Sequence, residues 1–186
     1  PLGSKVKYAY DTGNANPIKR GNILSVTRTP DARGTGGSEA AITTSATYTV
    51  SGDFPDAPEE VAQNWNFVNA ATDANGQITT HDYDARGNLI RVTAPAVTLT
   101  DGSFQNIVTE YRYNDRGQTL AILTPDKSIV WLEYHGSDGR PSDPGDLEGY
   151  LKREIRSTTR GHALDNPPAP GPKLRALLRR KPSWST

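Results

Sequence analysis

The side chains able to do chemistry are few and scattered. Three histidines stand at His81, His135 and His162, and none has a cysteine or a second histidine nearby to complete a metal-ligand set. The chain holds no cysteine at all, which excludes disulfides and thiolate metal sites without deciding the compartment. His81 lies beside Asp82 in an alternating stretch and reads as a surface or cross-strand residue. Asp82 and Asp84 are close in sequence, but around a turn they point in unrelated directions and cannot share one substrate as acid and base. There is no Gly-x-Ser-x-Gly, no phosphate loop and no Asp-x-Asp-x-Asp-Gly calcium loop. The expectation is a chain with no catalytic residues, no cofactor and no metal.

One chemistry remains, the stacking of sugars on aromatic rings. Trp65, Phe67, Trp131 and Tyr134, with Tyr83, Tyr111 and Tyr113, could offer rings on a strand face. Trp65, Trp131 and Tyr134 are the candidate glycan-stacking residues. The preferred reading is that these rings pack one unit of structure against the next.

The elements that would position them are strands. Hydrophobic residues make up 34% of the 186, while Gly (17) and Pro (14) are frequent, a balance that favours many short strands and turns over long helices. The length suffices for one sizeable core. Formal net charge is zero, so no overall field draws the chain to nucleic acid or to an anionic membrane. No run reaches the roughly 18 apolar residues of a membrane span, and none resembles a signal peptide. Pro1-Leu2-Gly3-Ser4 reads as the remnant of a cleaved affinity tag, so an excised fragment is expected.

The strand–turn–strand stretch from His81 to Pro95 recurs thirty residues on, with Tyr83-Asp84-Ala85-Arg86-Gly87 matched by Tyr113-Asn114-Asp115-Arg116-Gly117 and Pro95 by Pro125. A fixed period of this size marks an array of one supersecondary unit. Tyr10-Asp11 and Arg20-Gly21-Asn22 read as a third copy with a seven-residue insertion in its turn. Gly21 and Gly87 are sixty-six residues apart, about two periods, which leaves room for a degenerate copy between them. Asp31–Glu39 reads as a mobile loop, Thr47–Val50 and Trp65–Ala70 as strands, and Asn75-Gly76 as a hairpin turn. Pro55 and Pro58 rule out a central strand between them. Ser128–Tyr134 is largely apolar on both faces and is expected to be covered on both sides or to abut a neighbour, and Tyr150–Thr158 reads as a last strand. From 159 to 186 a Pro-rich linker leads to a basic tail, expected to be disordered or weakly helical.

Each repeated position has a physical task. Tyr83 packs across a strand while its hydroxyl reaches water or a backbone group. Asp84 opens the turn as an Asx acceptor. Gly87 supplies the positive φ that a short hairpin loop needs. Pro95 lacks an N–H and is expected to end the strand.

The stretch Tyr83-Asp84-Ala85-Arg86-Gly87-Asn88-Leu89, followed by Val92-Thr93 and Pro95, resembles the YD repeat of the Rhs family. The preceding Asp73-Ala74-Asn75-Gly76-Gln77-Ile78-Thr79 is similar to the Asp-x-x-Gly-x-x-Thr stretch that leads into that repeat. Tyr10-Asp11, Tyr113-Asn114 and Pro125-Asp126 extend the similarity over residues 5–158, most closely over 67–134. The insertion after Tyr10, the lack of a clear copy near residue 50 and a degenerate Tyr134-His135-Gly136 depart from the pattern. Asp143-Pro144-Gly145 lacks the intervening residue and the partner copy of the family's Asp-Pro-x-Gly self-cleavage element, and is rejected as one.

The resemblance implies an all-β fold of antiparallel hairpin repeats in a twisted sheet. It implies a structural, encapsulating and non-enzymatic role in a large secreted or cell-surface protein, as in bacterial polymorphic toxins, toxin-complex shells and animal teneurins, with a bacterial origin expected here. A carbohydrate-binding module on the same hairpins is the alternative. Tyr10, Asp11, Gly21, Tyr83, Asp84, Gly87, Pro95, Tyr113, Asn114, Gly117 and Pro125 would be the turn and structural residues of the repeat. Expected partners are neighbouring YD repeats, with glycans under the alternative, and exposed sheet edges would favour edge-paired self-association.

Overall fold

The computed structural model describes residues 3–30, 40–50, 53–54, 56–62, 65–136 and 149–157. The loop 31–39, Asp143-Pro144-Gly145, His162 and the linker and tail from 159 fall outside the described residues, as do the first two positions of the expected tag remnant.

Alternating apolar and polar residues broken by Gly, Asp and Pro fold into strands β1 (Lys5–Tyr10), β2 (Ile23–Thr29), β3 (Ile42–Tyr48), β4 (Val68–Thr72) and β5 (Ile78–Tyr83). They continue as β6 (Leu89–Thr98), β7 (Phe104–Tyr113), β8 (Thr119–Leu123), β9 (Ile129–Tyr134) and β10 (Leu151–Ser157). Each strand pairs antiparallel with the next, so sequence order is also spatial order in one open, twisted, ten-stranded sheet. A 3₁₀ turn (Pro17–Lys19) and a four-residue helix, α1 (Glu59–Ala62), lie between strands.

Apolar burial concentrates in two places. Ala121, Ile129 and Trp131 are buried with Leu123 and Ile155 packed on them. The pairs Ala121↔Trp131, Leu123↔Ile129 and Ile155↔Trp131 set these side chains in adjacent rows on one face of β8–β10. This meets the expectation for Ser128–Tyr134, because Val130 and Leu132 on the opposite face are also half-buried. The second place is a cap formed by the segment joining β3 to β4, where Phe54 and Ala62 are buried.

Two expectations are corrected. Pro95 does not end its strand, because β6 runs on to Thr98. Ala94 pairs with Ile107 and Val97 with Gln105, so Pro95 and Ala96 stand opposite Asn106 alone. In such a bulge one residue is left out of the ladder, and a proline without an N–H fits there. Pro125, its sequence counterpart, instead sits in the turn after β8, where Lys127 N–H closes onto Thr124 O at 2.9 Å. The strand expected over Trp65–Ala70 begins only at Val68, because Trp65 and Phe67 belong to the cap.

Candidate functional site

Odd-numbered strands run toward one end of the sheet and even-numbered strands start there. At this end lie Tyr10, Tyr48, Tyr83, Tyr113 and Tyr134, the last residues of β1, β3, β5, β7 and β9. The turn after Tyr83 is closed by Asp84 N–H to Asn88 O and Gly87 N–H to Asp84 O, both 2.9 Å. The Asp84 carboxylate accepts from Arg86 N–H at 2.9 Å and Asn88 N–H at 2.8 Å, while the Asn88 amide donates to its other oxygen at 2.9 Å. Asn114 repeats the arrangement with Arg116 N–H and Gln118 N–H, at 3.0 Å each. A carboxylate and an amide oxygen therefore do the same work, which is why the copy tolerates Asn for Asp.

The same closure survives long insertions. Asp11 N–H meets Asn22 O at 2.9 Å and Gly21 N–H meets Asp11 O at 2.8 Å, with the intervening residues looped out. Thr49 N–H meets Phe67 O at 2.8 Å, and the Thr49 hydroxyl accepts from Phe67 N–H at 3.1 Å, standing in for Asp84. His135 N–H meets Tyr150 O and Gly149 N–H meets His135 O, each 2.9 Å. The sequence pattern pointed to Gly136 here, whereas the closing residue is Gly149. The closing pairs at Thr49 and Phe67 and at His135 and Gly149 escape a search for a fixed spacing. Their one signal was the tyrosine just before each opening residue.

The tyrosine hydroxyls tie the strands across. Tyr48 donates to Ile23 O at 3.2 Å, Tyr83 to Val68 O at 2.9 Å, Tyr113 to Leu89 O at 2.8 Å and Tyr134 to Thr119 O at 3.0 Å. Each acceptor lies at or beside the start of the preceding even strand. Burial of the rings pushes the Tyr83 and Tyr113 phenols above their ordinary range, with Tyr111 adding to the effect at Tyr113.

The insertions of the first two hairpins are locked to each other. Lys19 is buried, and its ammonium donates to Thr49 O at 2.8 Å. The side-chain amides of Asn22 and Asn66 pair reciprocally at 2.7 Å. Phe54 meets Trp65 edge-on at 4.5 Å, and Phe67 stacks on Tyr83 at 4.8 Å between centroids.

The candidate glycan platforms are thus dispersed and engaged. Trp65 belongs to the cap over the third hairpin, Trp131 is 4% exposed in the β8–β10 core, and Tyr134 gives its hydroxyl to Thr119. A ring must show a face to stack on a sugar, and Trp131 shows none. The histidines are not brought together, since His81 lies in β5 opposite Val92 and His135 follows β9. Among the described residues no three His, Asp or Glu side chains gather as a metal site, and no helix is long and apolar enough to cross a membrane. The turns at the opposite end carry their own acceptors. The Thr124 hydroxyl, with Ser128, holds the Asp126 carboxyl down to about 2.

Comparison with curated proteins finds no match. A search of solved structures matches a chain of the "Crystal Structure of TcdB2-TccC3-Cdc42" at 19% identity and a TM-score of 0.45, over 75% of this chain. The present chain spans 6% of that chain's length. The RHS Repeat family matches residues 70–102, which hold the end of β4, all of β5 and β6 and the Tyr83–Asn88 turn. Over residues 70–102 the chain is thus similar to the RHS repeat, and this match spans the Tyr83–Asn88 turn.

Proposed function

We propose that the chain is a segment of the wall of an encapsulating RHS-repeat shell in a larger secreted or cell-surface protein of bacterial origin. Its role is structural and non-enzymatic, and its partners are the repeats on either side. The observation that carries this reading is the register of one turn design, repeated at five hairpins along a single sheet end, with a tyrosine tie at four of them. The polar groups of the design are used to hold the sheet. Asp84 is occupied by turn amides and Tyr83 by a strand carbonyl, so neither is left to act on a substrate. Repeat arrays draw stability from nearest-neighbour interfaces, as this meander does.

The test is to express the chain with the flanking repeats of its parent protein and image the product by electron microscopy. A hollow, closed particle with this sheet in its wall is the expected result. A solid globule, or separate domains joined by linkers, would overturn the proposal.

A further inference from the structure

The turns at the tyrosine end touch one another in a fixed pattern. In each, one residue closes the turn and the next starts the return: Gly21 then Asn22, Asn66 then Phe67, Gly87 then Asn88, Gly117 then Gln118, Gly149 then Tyr150. The second residue of each turn reaches the closing residue of the following turn. Asn22 pairs with Asn66 at 2.7 Å. A Cβ added to Gly87 would lie 3.1 Å from the Phe67 ring, one on Gly117 would lie 3.6 Å from Asn88 Oδ1, and one on Gly149 would lie 3.6 Å from Gln118 Nε2. Gln118 also donates to Gly149 O at 2.7 Å.

Among the described residues the pattern belongs to this end only. At the opposite end Gly76 and Gly102 have nothing within 4 Å of an added Cβ, and Lys127 occupies the equivalent place with φ of 68°. A lysine there shows that the opposite turns ask only for the backbone conformation. At Gly87 the tyrosine end asks also for a bare surface on which the neighbour's ring can lie, and at Gly117 and Gly149 an added Cβ would stand in ordinary contact with the neighbour's side chain.

Among the described residues the row stops at Tyr150. Asn22, Phe67, Asn88 and Gln118 are half-buried by the turn that follows, whereas Tyr150 is 66% exposed beside the outer edge of β10. We infer that Tyr150 is a docking residue for a further RHS-type hairpin, and that its ring lies on the glycine that closes that hairpin's turn. This rests on the reading of the chain as one segment of a longer array. The argument is continuity: four successive interfaces, the first on Asn66 and the next three on a closing glycine, lead to a fifth whose first half is present. A second copy of this chain is the poorer occupant, because setting β1 against β10 would bring Lys5 and Lys7 toward Lys152, Arg153 and Arg156.

The test inserts a second copy of residues 99–123 between Ser157 and Thr158 of the full chain, supplying a turn, a strand, a glycine-closed turn and a return strand. Amide hydrogen exchange then reads the outer edge of β10. Slowing of its outward amides by about tenfold or more is expected on pairing. A double-mutant cycle combines Tyr150→Ala with alanine at the inserted copy of Gly117, to separate ring contact from backbone strain. Each single change is expected to cut the protection, and the pair to cut it several-fold less than the product of the two. Independent effects would overturn the Tyr150 contact while leaving the array reading intact. No slowing at β10 in the unmutated insertion would overturn both.

Discussion

Gly87→Ala separates two costs that a turn glycine can carry. Gly87 has φ of 82° and Gly76 has φ of 77°, so alanine at either meets the same backbone penalty. A left-handed conformation costs an L-residue about 1–2 kcal/mol. The stiffer unfolded chain returns about 0.4–1 kcal/mol, leaving a net cost of about 1 kcal/mol. At Gly76 nothing lies within 4 Å of the new Cβ, and that net cost is the whole effect. At Gly87 the Cβ would sit 3.1 and 3.3 Å from two Phe67 ring atoms and 3.5 Å from Trp65. Neither ring can retreat freely, because Phe67 is stacked on Tyr83 and Trp65 is set edge-on against Phe54. Overpacking of this kind adds about 1–3 kcal/mol. Gly87→Ala is therefore expected to cost about 2–4 kcal/mol in urea unfolding followed by tryptophan fluorescence, against about 1 kcal/mol for Gly76→Ala. In a Phe67→Ala background the gap should close. Equal costs for the two glycines in the parent chain would refute the close-approach argument.

Four further outcomes are expected. Tyr113→Phe removes the hydroxyl bond to Leu89 O and should cost about 1 kcal/mol by urea unfolding. Because burial raises the Tyr113 phenol, its contribution is full below the unfolded value near 10 and is lost as pH rises through the higher folded value. The alkaline loss of stability should accordingly be shallower in Tyr113→Phe, and an unchanged slope above pH 10 would count against this. Asp126, held down to about 2, contributes stability above its unfolded value near 4 that is lost as pH falls from there toward 2. A carboxyl titration by NMR should place it near 2 and move it upward in Thr124→Val. Lys19→Met leaves Thr49 O without its ammonium donor and should cost about 1–3 kcal/mol, with faster exchange near residues 17–22 and 49–67 but not in β7–β9. Trp131→Ala empties the centre of the β8–β10 cluster, with an expected loss of about 3–5 kcal/mol and no saccharide able to restore it in a thermal-shift titration.

What could be read from the sequence was whatever the backbone itself encodes. Asp84, Gly87 and Asn114 act within five residues, on amides whose positions the turn fixes, and their types announce that work. Pro95 misled because its missing N–H has two outcomes, a strand end or a bulge, and the choice depends on pairing with Asn106 and its neighbours on β7. Ring burial was not legible either. Trp65 and Trp131 carry the same side chain, yet one caps a turn and the other fills a sheet face, and only the fold of distant segments decides which. Lys19 is the extreme case: beside Arg20 in a polar loop, it finds its acceptor thirty positions away.

The inserted copies explain why spacing failed at some hairpins and succeeded at others. Closing a loop costs an entropy that grows only with the logarithm of its length, roughly 0.6 kcal/mol per doubling. A turn that is five residues at Asp84–Asn88 can therefore become twelve at Asp11–Asn22 and nineteen at Thr49–Phe67 while the same closing hydrogen bond is kept. The tyrosine tie assists, because Tyr48, Tyr83 and Tyr134 fix the strand end from the neighbouring strand and not from the loop. Framework and loop length are thereby uncoupled at this end of the sheet. Among the described residues the opposite end lacks the tie, and its turns at Asp73, Leu99 and Thr124 keep a five-residue closure, although the connection from Thr29 to Ile42 at that end is also long. A long connection does not require a tie, since Tyr10 precedes the Asp11–Asn22 turn without one among the described residues, but where Tyr48 holds the strand end the chain is free to elaborate. It uses that freedom between Thr49 and Phe67 to build a cap over the next hairpin, so that an insertion in one repeat becomes part of the interface with another.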